Sequence, residues 1–234
     1  MIKAAAIALA AFLSLAPAAA AERRFTVTDF DRIVVEGPFR VTLATGRPPS
    51  ASASGSADAL DRLTVEVQGR TLRIRTNSTG AGSSSARADG PVTLTVSAHD
   101  LRSARVAGAG NLSIDRVGGL RVDLTLEGSG RIAVGEVSGD NLVIGALGSG
   151  RIDVAGTVKD VRASIHGWAE LDASALQAER VRLVTDTAGR VAMNAADEAT
   201  VTASGIGEVD IAGSPACTLR GASAGQVRCG ESER

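Results

Sequence analysis

Two aspartates that lie one repeat apart in the chain have the side chains that acid-base chemistry needs. Asp153 and Asp172 occupy the same position in the successive segments RIDV and ELDA. If these segments stack as neighbouring strands, the two carboxylates lie about 5 Å apart, which is the spacing of the acid and nucleophile of a retaining glycosidase. Against that chemistry, Ala192 interrupts the series before Asp210, and Trp168 is the only nearby aromatic platform for a sugar. A carbohydrate-active enzyme is therefore the alternative, and a non-catalytic surface is the favoured interpretation.

His166 and Trp168 flank the glycine of the fourth of seven repeats and are our candidate ligand contacts. A histidine beside a carboxylate can act as a base, and Asp186 is the predicted neighbour of His166 on the next coil. No serine or cysteine nucleophile with matching geometry can be identified from the sequence, so a surface ion pair is the favoured interpretation. Trp168 replaces a small turn residue, which predicts an exposed ring of the kind that dominates binding energy at interfaces.

Other chemistry finds no support in the sequence. The glycine-rich turns lack the aspartates of a calcium-binding nonapeptide repeat and the lysine of a P-loop, and no His/Cys group has metal-ligand spacing. We therefore predict no catalytic residue, no cofactor and no metal.

Cys217 and Cys229 are the only two cysteines of the chain. Both fall on inward columns of the last two coils, where burial is predicted, and an even pair in an oxidising compartment favours a disulfide. It would stabilise a terminal coil that has an unpaired edge. Two free, buried thiols are the alternative.

The elements that position these residues are copies of one phrase, a small-residue turn followed by an alternating strand. Successive copies start 18 to 20 residues apart, which is typical of a solenoid. The copies are GAGNLSI (108–114), GSGRIAV (128–134), GSGRIDV (148–154), GWAELDA (167–173), TAGRVAM (187–193), GIGEVDI (205–211) and SAGQVRC (223–229).

Stacking these copies predicts an aliphatic core and a charged outer surface. A second alternating strand follows each copy, and connections between parallel strands favour a right-handed coil. The first inward column is predicted to hold Leu112, Ile132, Ile152, Leu171, Val191, Val209 and Val227, and the next Ile114, Val134, Val154, Ala173, Met193, Ile211 and Cys229. The residues immediately before the first inward column form an outward column, in which charges alternate and are predicted to pair between neighbouring coils. This column holds Asn111, Arg131, Arg151, Glu170, Arg190, Glu208 and Gln226.

The fold class is therefore all-β: a right-handed parallel β-helix with about 18–20 residues per coil, preceded by a set of N-terminal strands. We expect the N-terminal strands over 25–100 and the repeat coils over 101–230, within one domain of residues 22–234. In the N-terminal part, 63–67 and 71–76 are predicted to form a hairpin, and Arg47–Ser56 and Ser78–Gly90 are predicted to be loops.

The segment FDRIVVEGPFRVTL, followed by repeated GSG turns with arginine and isoleucine, resembles the bacterial GIN domain, described as an autotransporter-adhesin head domain. The matching residues include Phe30, Asp31, the LRIRT strand at 72–76 and the turns at 128–130 and 148–150. The resemblance covers about Phe25 to Cys229. It implies a β-helical protein of the envelope or cell surface and carries no catalytic residues to transfer.

The N-terminal residues and the overall charge indicate the compartment and the class of partner. Residues 1–21 combine Lys3, an apolar run and a small-residue ending, which predicts a secretory signal peptide. The 25 basic and 26 acidic residues nearly cancel and form no block, so nucleic acid is not a predicted partner. No stretch after residue 21 approaches the roughly 20 apolar residues that span a bilayer, so no membrane-spanning segment is predicted. We expect an exported, periplasmic or cell-surface protein that binds or scaffolds an envelope ligand, protein or glycan. A self-assembling structural solenoid is the remaining alternative.

Overall fold

The computed structural model describes residues 21–77, 92–223 and 226–230, and the strands in these ranges form one 16-stranded sheet. The N-terminal elements are β1 (Ala21–Phe25), β2 (Arg32–Glu36), β3 (Arg40–Ala44), β4 (Ser50–Gly55), α1 (Ala57–Asp61), β5 (Leu63–Gln68), β6 (Thr71–Thr76), β7 (Thr93–Ser97) and β8 (Ser103–Gly108). The remaining strands are β9 (Asn111–Gly128), β10 (Arg131–Gly148), β11 (Arg151–Gly167), β12 (Glu170–Thr187), β13 (Val191–Ala203), β14 (Val209–Gly213), β15 (Ala216–Arg220) and β16 (Val227–Cys229).

Each of the long strands β9 to β12 is one coil of a β-solenoid. The chain bends in the middle of the coil, at Gly119 of β9 for example, where φ is +137°. The coil thus has a first strand and a second strand, and their outward sides form two surfaces, which we call the first-strand face and the second-strand face. Parallel pairing sets Ile132 beside Leu112 and Ile152, and Ile152 beside Leu171. The predicted period and register of the repeats are confirmed.

The core is the aliphatic ladder that the repeats predict. The first inward column is at most 2 % exposed from Leu112 to Val209, and Val227 packs partly buried at its end. Because parallel strands lie about 4.8 Å apart, each side chain in this column contacts its equivalents above and below. The hydrophobic stabilisation of one coil therefore depends on its neighbours.

The solenoid also includes strands from the N-terminal part of the chain. β2 and β3, joined at Gly37, pair in parallel with β8 and β9, so that Val41 lies beside Leu112. β6 and β7 pair in parallel with the opposite edges of β2 and β3. The stack therefore begins with β6 and β7, continues with β2 and β3, and only then follows chain order from β8.

Antiparallel strands cover the N-terminal end of the stack. β5 pairs with β6, β4 pairs with β7, and β1 pairs with β4. The predicted hairpin is confirmed, whereas the predicted loop at Arg47–Ser56 is wrong, because Ser50–Gly55 forms β4. Its serines and alanines have low strand propensity, but Ala51 and Ala53 are buried in the core cluster. The predicted loop Ser78–Gly90 lies outside the described residues.

Buried Asp31 ties this cap to the first coils. Its carboxylate lies 2.9 Å from Arg70 Nε and 2.7 Å from an Arg102 guanidinium nitrogen, while its backbone carbonyl accepts from the Arg102 amide. The interaction joins the β5–β6 hairpin to the strand that starts the regular coils.

The C-terminal end of the stack is closed by a disulfide between Cys217 and Cys229, with 6.4 Å between their Cα atoms. The predicted bridge is confirmed. The expectation that both sulfur positions are buried is wrong, because Cys217 is exposed and Cys229 is only half-buried. No described coil lies beyond β15 and β16, so Val227 and Cys229 pack against the preceding coil only and remain partly exposed.

Candidate binding surface

The glycine turns that connect successive coils stack into a narrow edge of the solenoid. In each turn a backbone amide donates to the turn above: Ser149 to Gly128, Trp168 to Gly148 and Ala188 to Gly167, at 2.7–2.9 Å. Gly128 has φ +116°, and a Cβ there would lie 2.5 Å from a carbonyl oxygen of the preceding turn. Glycine therefore allows the turns to approach, and the edge has a rigid backbone.

Large apolar side chains project from this edge in the C-terminal half of the stack. Trp168 is 69 % exposed, Ile206 is 78 % exposed and Leu147 is 60 % exposed. Trp168 and Ile206 hold the central position of turns two coils apart, about 10 Å along the stack, with the small Ala188 between them. Leu147 lies one residue before its own turn, beside His166. We call Leu147, His166, Trp168 and Ile206 the turn-edge patch.

His166 lies where the sequence places it but has a different partner. Strand pairing sets it between Leu147 and Asp186. Its Nε2 lies 3.0 Å from the hydroxyl of Ser164, within hydrogen-bonding distance on the same strand, and its ring makes no ion pair with Asp186 in the described structure. The predicted ion pair with Asp186 is therefore wrong. The partner is a serine that the sequence analysis did not pair with His166, because residues two apart on one strand lie on the same face.

Sequence reasoning identified Trp168 and missed Leu147 and Ile206. Ile206 occupies the same repeat position as Trp168, in GIGEVDI against GWAELDA, so aligning the turn centres would have found it. Leu147 precedes a turn at a position that holds Glu127 and His166 in the adjacent coils. Its exposure could have been inferred from that column alone.

Asp153 and Asp172 are neighbours in register on the first-strand face, as the sequence predicts. The Arg151 guanidinium contacts both, at 2.6 Å from Asp153 and 3.1 Å from Asp172, and it also bonds Glu170 at 3.0 Å. Arg131 lies 2.7 Å from Asp153 on the other side. The carboxylate pair is thus part of an ion-pair network between coils.

Electrostatics in this network oppose acid catalysis by Asp172. The hydroxyl and amide of Ser174 donate to its carboxylate, and together with the Arg151 and Arg190 charges they lower the pKa of Asp172. The three carboxylates around Arg151 raise the pKa of its guanidinium, chiefly through the hydrogen bond to Asp153. A glycosidase acid needs the opposite shift, a carboxyl group that stays protonated near neutral pH.

The alternating outward column pairs across coils in part. Arg151 bonds Glu170, and Arg190 lies 3.9 Å from Glu208, but the shorter contact of Arg190 is to Asp210, at 2.9 Å. The charges therefore pair diagonally as well as directly, because long arginine side chains reach the next outward column.

Two further features bear on the class of site. Across residues 21–77, 92–223 and 226–230, no group of three or more histidine, cysteine, aspartate or glutamate side chains is arranged to hold a metal ion. The α-helix of those ranges, α1, has five residues. No helix in the described residues is long and apolar enough to cross a membrane.

Comparison with known proteins identifies the family. The family model described as "Putative auto-transporter adhesin, head GIN domain" matches residues 29–215. The chain belongs to the GIN-domain family. The resemblance seen in the sequence is confirmed, and a search of curated proteins finds no match.

Solved structures share the fold of this GIN-domain chain. A protein described as a putative adhesin from Bacteroides fragilis NCTC 9343 has a TM-score of 0.76 at 17 % identity, covering 92 % of this chain and 96 % of its own. A protein described as a putative lipid binding protein from Parabacteroides distasonis ATCC 8503 has a TM-score of 0.70 at 20 % identity, covering 92 % and 98 %. A putative adhesin from Parabacteroides merdae ATCC 43184 has a TM-score of 0.65 at 16 % identity, covering 92 % and 95 %. At these identities the similarity shows the fold, a β-solenoid of adhesin-like proteins.

Proposed function

We propose that this chain is an exported, non-catalytic β-solenoid that binds a protein or glycan of the cell envelope through its turn-edge patch. The observation that carries the proposal is the exposure of Trp168, with Ile206 and Leu147 beside it, along an edge whose other turn centres are small. Large apolar side chains grouped on a soluble surface are typical of binding sites.

The geometry of the patch favours binding because its backbone is already ordered, so that binding a ligand costs little conformational entropy. The Trp168 amide is hydrogen-bonded to Gly148 at 2.7 Å, and the turns on both sides are stacked by similar bonds. A ring on such a backbone has only its own two torsions to restrict when a ligand arrives. The small Ala188 between Trp168 and Ile206 leaves both side chains exposed to a ligand.

The non-catalytic part of the proposal is supported by the ionic state of the first-strand face. Asp153 and Asp172, the acids with glycosidase spacing, share Arg151, and the pKa of Asp172 is lowered. Export is supported by the signal-peptide pattern of residues 1–21 and by the disulfide, which forms in oxidising compartments. The adhesin descriptions of the family and its structural neighbours agree with a binding role.

The test uses the single tryptophan of the chain as its reporter. Purified protein is titrated with solubilised envelope fractions and with an immobilised panel of envelope glycans, while binding and tryptophan fluorescence are recorded. We expect a ligand to shift the emission of Trp168, and we expect Trp168→Ala to weaken its binding at least tenfold. The matched control is Leu120→Ser, because Leu120 is 80 % exposed and lies at the opposite corner of a coil. It should change affinity less than twofold.

The proposal fails if a ligand binds without a change in emission and Trp168→Ala retains its affinity. Its non-catalytic part is tested separately with the same glycans. Turnover of any of them that is abolished by Asp153→Asn or Asp172→Asn would make the chain an enzyme.

A further inference from the structure

Two arginines of like charge lie side by side on the second-strand face. Arg162 and Arg182 are partners in register on β11 and β12, both exposed, with strands about 4.8 Å apart. Neither guanidinium forms a direct ion pair with a carboxylate within the described part of the chain, whereas most of the other arginines there do. The charge of Arg162 acts on Asp160 only at longer range. Like charges directly opposite each other on neighbouring strands are destabilising.

The chain contains a second such pair and shows how it is relieved. Arg131 and Arg151 are also partners in register, on the first-strand face. The Asp153 carboxylate lies between them, with one oxygen 2.7 Å from Arg131 and the other 2.6 Å from Arg151. One carboxylate therefore fits between two stacked arginines of this solenoid, hydrogen-bonded to Arg151 and in an ion pair with Arg131.

No residue of the chain supplies that carboxylate at the second pair. The outward positions two residues further along the strands are Ser164 and Val184. Two residues earlier are Asp160 and Arg180, which bond each other through two contacts of 2.8 Å. Asp160 is thus already committed to a different arginine.

The surface around the pair is a shallow depression of about 140 Å³. Three arginines and two carboxylates give it a net positive charge. Its charged and hydroxyl-bearing lining consists of Asp160, Arg162, Arg180, Arg182, Glu198 and Thr200.

We propose that Arg162 and Arg182 together bind one carboxylate of an acidic polysaccharide, such as that of a uronic acid residue. In this arrangement the ligand carboxylate takes the place that Asp153 takes at the other pair, with one oxygen toward each guanidinium. Charge-assisted hydrogen bonds of this kind are about twice as strong as neutral ones.

The surroundings favour a sugar chain over an acidic peptide. β11 and β12 are paired on both sides, so this face offers no free backbone edge on which a peptide can add a strand. It offers instead the hydroxyl of Thr200, which donates to Glu198 and can still accept, and the exposed apolar Val184. These suit the hydroxyls and the C–H face of a sugar ring. The arginine pair is six residues, about 20 Å, from Trp168 along the coil, so binding at the pair does not require the Trp168 ring.

The experiment measures binding of tri-galacturonic acid to the whole mature protein by calorimetry and by thermal stabilisation. Tri-galactose is the neutral probe, while tri-glutamate and inorganic phosphate are the probes for other anions. We expect the uronic acid trimer to bind at least tenfold more tightly than each of the other three. The double variant R162Q/R182Q should lose at least tenfold in affinity and lose the thermal stabilisation.

The control is the double variant R105Q/R121Q, which removes two positive charges from the same face. Arg105 and Arg121 are already paired, at 2.7 Å to Glu127 and 2.9 Å to Asp123, so the control should keep affinity within twofold. Equal losses in both double variants would overturn the site, because binding would then follow net charge. Tighter binding of tri-glutamate or phosphate would overturn the ligand class, and equal binding of tri-galactose would overturn the role of the carboxylate. Loss of the turn-edge patch by Trp168→Ala should leave this binding unchanged.

Discussion

Replacing Ile152 by alanine is the sharpest test of the stacked core. Ile152 is fully buried in the middle of the solenoid, with Ile132 above it and Leu171 below. The change deletes three carbons from a position where neighbouring coils cannot close in, because both flanking strands are held by parallel backbone pairing.

The magnitude follows from burial and cavity formation. Three buried carbons at about 0.8 kcal/mol each amount to about 2.4 kcal/mol. A cavity that stays largely open adds about 1–2 kcal/mol, so we expect Ile152→Ala to lower the free energy of unfolding by about 4 kcal/mol. Ile152→Val, which deletes one carbon, should cost about 1 kcal/mol.

Arg151→Ala is the matched comparison, since the residue is adjacent but faces outward. Its side chain is 42 % exposed, and its three ion pairs are screened by solvent, so we expect a loss of about 1 kcal/mol. Urea unfolding followed by circular dichroism gives all three values. Equal losses for Arg151→Ala and Ile152→Ala would refute the assignment of inward and outward columns, and an unchanged stability of Ile152→Ala would refute coupling between coils.

Three further predictions concern the turns, the disulfide and the pH dependence of stability. Gly128→Ala should lower the free energy of unfolding by at least about 2 kcal/mol, because φ is +116° and the new methyl group meets a carbonyl oxygen. Gly145→Ala, which has open space around it, should be close to neutral, and equal effects of the two changes would contradict the turn geometry. The Cys217–Cys229 disulfide should be reduced by dithiothreitol without denaturant, because Cys217 is an exposed residue, and hydrogen exchange should then quicken first in the terminal coil, with a stability loss of up to about 3 kcal/mol. Resistance to reduction in the folded state would contradict the exposure. Because the folded-state pKa of Asp172 is lowered, its contribution to stability should be complete above the ordinary carboxyl value of about 4 and should be lost as the pH falls through the lowered value. Unfolding free energies of the wild type and Asp172→Asn, measured from pH 6 to pH 2, should therefore converge at acid pH, and a constant difference between them would contradict this linkage.

The regular part of the fold was predictable because its signals are local. A strand alternates with period two, and each turn needs small residues, so a period of 18 to 20 residues appears directly in the sequence. The same period predicts the inward columns from Leu112 onward and places Asp153 beside Asp172. It also brings Cys217 close to Cys229, which made the disulfide predictable.

The N-terminal end depended on the tertiary structure. β6 and β7 enter the stack before β2 and β3, and no spacing in the sequence encodes that order, because it results from pairing between distant strands. β4 forms from serine and alanine, which local propensity assigns to a loop, because Ala51 and Ala53 fit against the core. Here burial decided the structure against propensity.

The candidate sites show the same division between the two sources of information. The sequence by itself determined that Trp168 lies in a turn and that the outward columns are charged. Only the tertiary structure decided that Arg151 is shared among three carboxylates while Arg162 and Arg182 are left with none. The physical reason is that strand register places backbones about 4.8 Å apart, whereas an arginine side chain reaches across more than one position, so the choice of ion partner depends on side-chain geometry in three dimensions.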